Sequence, residues 1–250
     1  MHKALRALIP LAAAAPLAFA APAMASGSTY QATLDPLNGS GGSGMVTIAL
    51  HGSSATVTES WSGLASTFGG SPYPHVQHIH IDGQGQCPTP SADKNGDGIV
   101  DTQEGAPAYG AIGTTLSEKG DTSPAAGTNI KIAPAGSSTS YHRTIRLDPK
   151  TLSSLQNDTA VVVVHGLDPS TLSKKAQGEK SNLVPSLPLA ATSPALCGAL
   201  HAMPSGGVAT GTGSTAGIED GGVLGLGGGL LLGGAGIALY GVRRRQAVKA

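Results

Sequence analysis

Aromatic side chains are scarce in this 250-residue chain, which has one Trp, two Phe and five Tyr. Any core must therefore rely on Val, Ile, Leu and Ala, and Trp61 and Phe68 read as packing anchors rather than ligand contacts. Charge is also scarce, at 12% of residues. The two signs cancel over the full chain, but between Ser26 and Ala202 nine basic residues face thirteen acidic ones, a formal charge near −4. A surface of that sign repels a polyanion, so nucleic acid is excluded as a partner. There are two cysteines, Cys87 and Cys197, and no Cys-x-x-Cys pair. The sequence also lacks a Gly-x-Ser-x-Gly nucleophile turn, a phosphate-cradling glycine loop and a Leu-Pro-x-Thr-Gly sorting motif. Those gaps leave serine-hydrolase and nucleotide chemistry without support.

The two ends read as targeting segments. Residues 1–25 have a basic start at Lys3 and Arg6, an apolar middle and the small-residue run Ala23-Met24-Ala25, the pattern of a signal peptide. Residues 221–242 carry no charge and are followed at once by Arg243-Arg244-Arg245. About 20 apolar residues cross a bilayer, and a basic cluster stays on the cytoplasmic side. The expectation is a single-pass protein at the extracellular face of the cell membrane. A transmembrane helix spans 221–242, and a cytoplasmic tail occupies 243–250. Residues 203–220 are mostly Gly, Ser, Thr and Ala and read as a flexible linker. One domain is expected over residues 26–202.

Within that domain, short β-prone runs alternate with Gly, Ser, Pro and Asn. The expected strands are Thr29 to Leu34, Gly44 to Leu50, Ser54 to Trp61, Val76 to Ile81, Gly110 to Leu116, Asn129 to Ile132, Tyr141 to Leu147, Ala160 to His165 and Ala195 to His201. Tyr141, Arg143, Ile145 and Leu147 share one face by alternation. Val161 to Val164 is apolar throughout and suits a central strand. No long 3.6-period segment appears apart from Pro149 to Leu155, which has room for one or two helical turns. This pattern predicts an all-β Greek-key β-sandwich or flattened barrel.

Three of the eight histidines fall in the run His75-Val76-Gln77-His78-Ile79-His80. On a strand, His78 and His80 project from one face while His75 has the opposite parity. Two imidazoles on one face are a ready pair of ligands for copper or zinc. His165, at the end of the valine run, is the candidate third ligand, and His75 is expected to support the site from outside it. The lone His51 and His142 read as surface or hydrogen-bonded residues. For an exported protein an even cysteine count makes one disulfide the default. It would close a long loop and contribute on the order of 4 kcal/mol. Two thiolate ligands are the other reading of the pair, though the flanks lack the usual spacing.

A second metal motif follows. Asp93-Lys94-Asn95-Gly96-Asp97-Gly98-Ile99-Val100-Asp101-Thr102-Gln103-Glu104 matches the twelve-residue calcium loop at each diagnostic position. Its ligands would be Asp93, Asn95, Asp97, the Ile99 carbonyl, Asp101 through water and Glu104, with Gly98 at the sharp turn. Pro88 and Pro90 before it, and Gly105 and Pro107 after it, predict an isolated calcium loop set between strands without flanking helices.

Residues in this order resemble those of copper/zinc superoxide dismutases: His75-x-x-His78-x-His80, then Cys87, Val164-His165-Gly166-Leu167-Asp168 and Leu196-Cys197-Gly198. The stretch from Leu147-Asp148-Pro149-Lys150-Thr151-Leu152 to Val163-Val164-His165 also looks like a CHRD (chordin-type) domain, a related extracellular β-sandwich. The resemblance implies copper at His78, His80 and His165, and a Cys87–Cys197 disulfide clamping the site loop. It also implies a bridging histidine soon after the first cysteine, yet no His lies between His80 and His142. A guiding arginine three residues before the second cysteine is implied too, and that position is Pro194. A copper-only site survives these departures and a dinuclear one does not. The expected function is therefore a binding or structural module holding calcium and copper. Its rival is a copper-only superoxide dismutase acting at the cell surface.

Overall fold

Alternation decides which side chains each strand buries. In Ser54–Ser62, Ala55, Val57, Glu59 and Trp61 point inward, while Ser54, Thr58, Ser60 and Ser62 are exposed. The computed structural model describes residues 27–204. The expected signal peptide, most of the expected linker, and the expected C-terminal span and tail lie outside the described residues.

The strands in chain order are β1 (Ser28–Pro36), β2 (Ser43–His51), β3 (Ser54–Ser62), β4 (Thr67–Phe68), β5 (Ser71–Pro72) and β6 (Gln77–Asp82). Helix α1 (Thr102–Tyr109) then leads into β7 (Gly110–Thr115) and β8 (Ser138–Arg146). Next come α2 (Pro149–Gln156), β9 (Val161–His165), α3 (Lys174–Gly178), α4 (Leu189–Thr192), β10 (Pro194–Ala199) and β11 (His201–Ala202). Apart from the β4–β5 pair, the strands form one antiparallel nine-stranded sheet in the order β7-β6-β9-β10-β1-β2-β3-β8, with β11 beside β1.

This sheet curls because β1 changes partners along its length. Its first half pairs with β11 (Tyr30 opposite Ala202) and its end with β10 (Asp35 opposite Cys197). Val46 and Ile48 of β2 and Val57 and Trp61 of β3 join Ile79 of β6 and Val162 and Val164 of β9 in one apolar core. The result is β-sandwich-like. Each fully buried valine or isoleucine contributes about 1.5–3 kcal/mol, which offsets the shortage of aromatic volume.

Strands β6 and β9 bury both faces. On the outer face of the sheet, Val161 and Val163 of β9 and Cys197 of β10 pack beneath Tyr109 of α1. Cys87 and Cys197 form the disulfide, with Cα atoms 5.8 Å apart, and tie the segment before the acidic loop to β10.

Two expectations are corrected. Asn129 to Ile132 is no strand; Ile130–Ile132 is a 3₁₀ turn, because the Asn129 side chain accepts the Lys131 N–H and competes with a sheet ladder. The acidic loop also does not run from strand to strand but leads into α1. There Asp101 accepts from the Gln103 and Glu104 N–H groups, and Glu104 reaches back to the Asp101 N–H, a complete capping box. That box nucleates the helix despite Gly105 and Pro107. Gly105 is needed, since a Cβ there would strike the Tyr109 ring.

Candidate metal centre

His78 and His80 lie on the outer face of β6, opposite Val163 and Val161 of β9. A register shift between Ile79 and His80 in the pairing with β7 marks a bulge, a feature that re-aims side chains. His165, two residues beyond Val163 on the same face, completes the group. Its ring centroid is 5.2 Å from that of His78 and 5.9 Å from that of His80, and the rings of His78 and His80 are 5.5 Å apart.

Backbone carbonyls set the tautomer of each ring. His78 Nε2 is 2.9 Å from the Gly127 oxygen, His80 Nδ1 3.0 Å from Gly110 and His165 Nδ1 2.7 Å from Thr192. A neutral imidazole has one N–H, and each of these nitrogens must carry it in order to donate. The other nitrogens, Nδ1 of His78 and Nε2 of His80 and His165, are therefore bare acceptors. All three are buried and have no hydrogen-bond partner. One ligand atom of each ring lies within 4.8 Å of those of the other two, so a single ion held at roughly 2 Å from each requires the rings to close in on it.

Burial keeps the rings uncharged. It pushes His80 down to about 3 and His165 to about 4, and holds His78 well below the usual histidine value; charge on neighbouring rings also depresses His78 and His80. At neutral pH three lone pairs are thus available without a proton to displace. A cavity of about 400 Å³ adjoins the rings, lined also by Val76, Ile112 and Leu183, with no charged side chain on its wall. The cluster can hold a metal ion.

His75 stays outside this group. It lies on the core side between Trp61 and Tyr73, at ring centroid distances of 5.2 and 4.8 Å. Its Nδ1 is 2.9 Å from the His165 carbonyl oxygen and its Nε2 2.9 Å from that of Ala65. It therefore touches the backbone of a candidate ligand rather than the ligand atoms. His51 and His142 are exposed, and the His142 ring meets the Thr58 hydroxyl at 3.0 Å.

The acidic loop is organised differently. Asp93 accepts from the Gly96 and Gly98 N–H groups, Asn95 from Asp97, and Asp97 from Ile99 and the Asn95 amide. Glu104 accepts from the Lys94 and Asp101 N–H groups, and Asp101 also takes the Asn182 amide. Gly98 has φ +92°, the left-handed conformation that the turn requires. Among the described residues the histidines form a group of converging ligand atoms, and the loop carboxylates do not.

A scan against protein-family models gives no match, and a search of curated proteins gives none either.

Several residues that shape the centre have no sequence signature. Gly110, Gly127 and Thr192 act through their carbonyl groups, which every residue possesses. Gly110 alone carries a trace, since its φ of +90° and the nearby Ile81 carbonyl exclude any side chain. Another unexpected group, Glu59, was legible by parity: it occupies an apolar position on β3. It is 1% exposed, neither carboxyl oxygen has a partner, and burial pushes its pKa up to about 8.

Proposed function

We propose that this chain is an exported, membrane-tethered β-sandwich of the superoxide dismutase-like and CHRD-like kind, serving as a binding or structural module. In this reading His78, His80 and His165 hold one copper ion and residues 93–104 bind calcium. The observation that carries it is a set of three buried rings, each with one unpartnered nitrogen, whose ligand atoms converge within 4.8 Å. Neutral imidazoles suit copper, and copper stands highest among the divalent first-row metals in affinity for such donors. When bound, copper would supply one-electron redox chemistry. The chain's own residues orient the lone pairs, bury them and keep protons off them.

The wall of the adjoining cavity favours binding over superoxide turnover. With no Lys or Arg along it, nothing there draws in an anion. The cavity itself, open beside the rings, is what favours the second reading, a copper-only superoxide dismutase at the cell surface. Copper titration of the full chain with elemental analysis and paramagnetic resonance tests the first reading. One copper per chain with nitrogen splitting from the imidazoles is expected, and no uptake by the wild-type chain would overturn it. Fast superoxide decay on the copper-loaded chain, abolished by His80→Ala, would favour the second.

A further inference from the structure

Helix α1 begins within the acidic loop and ends against the histidines. At its start the Thr102 hydroxyl donates to the Thr192 carbonyl oxygen at 2.7 Å, the same oxygen that takes the His165 Nδ1–H. Toward its end the Tyr109 ring lies 4.6 Å from the His80 ring, edge to face, and the Tyr109 hydroxyl donates to the Thr102 carbonyl at 3.0 Å. The next residue, Gly110, supplies the carbonyl that takes the His80 Nδ1–H. The capping residues Asp101 and Glu104 are also positions nine and twelve of the loop. His78 is different, for its N–H is held by Gly127, which closes the turn Pro124–Ala126 and lies outside α1.

From this arrangement we infer that α1 is the positioning element of the histidine centre. Thr102 orients His165 through the Thr192 carbonyl, Gly110 and Tyr109 orient His80, and the loop's capping box holds the helix in place. Order in residues 93–104 thus passes to two rings of the three and bypasses the third. The role of the loop at the centre is mechanical, whatever cation it takes. This inference rests on the reading of the three histidines as a metal centre, and the proposed test separates the two. Partners that orient metal-binding histidines typically alter metal affinity 10–100-fold when removed.

The experiment follows the ring N–H protons of the metal-free full chain by NMR in wild type, Thr102→Val, Thr102→Ser and Glu104→Gln. Copper affinity of the same proteins is measured by competition with a chelator. Thr102→Val should speed N–H exchange at His165 about tenfold and leave His78 unchanged, with Thr102→Ser restoring the wild-type rate. Glu104→Gln, which weakens the capping box, should speed exchange at both His80 and His165 and again spare His78. Copper affinity should fall about tenfold in Thr102→Val and recover in Thr102→Ser. Equal acceleration at all three rings would mean general loosening and would overturn the assignment, as would unchanged exchange at His165. Selective exchange in a chain that takes up no copper would uphold the positioning role and refute the copper reading.

Discussion

The histidine centre and the acidic loop are joined by one helix, yet they differ in what their candidate ligands already hold. Each imidazole has one nitrogen engaged by a carbonyl and the other buried without a partner. In the loop, each carboxylate takes N–H groups from the chain itself. A buried polar atom without a partner costs about 1–3 kcal/mol, so the histidines gain most from a ligand that fills the gap. The loop already has its shape, and a cation there would mainly relieve repulsion among carboxylates. A site that lacks partners is built for binding, whereas one that satisfies itself is built for shape.

The largest expected effect separates the two regions outright. His80→Ala should weaken copper binding at least about a hundredfold, while Asp93→Asn should leave one copper per chain; equilibrium dialysis measures both. Equal loss in both variants would break the distinction. Next in size, Cys87→Ser with Cys197→Ser should cost about 2–5 kcal/mol in denaturant unfolding, because the bridge closes a loop with a sequence separation of 110. Since that bridge joins the approach to the loop with β10, the same variant should also lower copper affinity.

A pH series sharpens the comparison by adding a third kind of donor, the buried, unpartnered carboxyl of Glu59. Folding raises its pKa from 4.5 to about 8, so its contribution is fully present below 4.5 and is lost as pH rises through 8. The histidines behave oppositely. Their folded values lie below 6.5, at about 3 for His80 and about 4 for His165, so their contribution is present above 6.5 and is lost as pH falls toward those values. The melting temperature of the metal-free chain should therefore fall at both ends of the pH scale. Glu59→Gln should relieve the alkaline side by about 2–4 kcal/mol near pH 7.5 and give no gain at pH 4. An equal gain at both pH values would show that the Glu59 carboxyl does not titrate as described.

Calcium should have the smallest effect. Millimolar calcium should raise the melting temperature of the full chain by roughly 5–10 °C, corresponding to about 2.7 kcal/mol at a hundredfold excess over Kd. Asp97→Asn should remove the shift. Calorimetry showing no shift in the wild-type chain would leave the loop with a purely structural role.

Much of this architecture is legible along the chain. Alternation places Val57 and Trp61 inside β3 and sets His78 and His80 on one face of β6. The valine run of β9 announces a strand buried on both sides. Helix α1 is not legible, because Gly105 and Pro107 argue against it and the capping box outweighs them only once the loop has closed. The turn at Ile130 is hidden in the same way, its β-prone residues losing to the local bond from Asn129.

The sequence by itself determined the β class, the facing pair of imidazoles, the cysteine pair and the acidic loop, because period-two alternation and fixed spacing are local properties. The tertiary structure alone decided that His165 meets that pair, since the meeting depends on β9 lying beside β6. It also decided which nitrogen of each ring stays bare. That choice belongs to the carbonyl groups of Gly110, Gly127 and Thr192, which leave no mark in the sequence and acquire their role only through position.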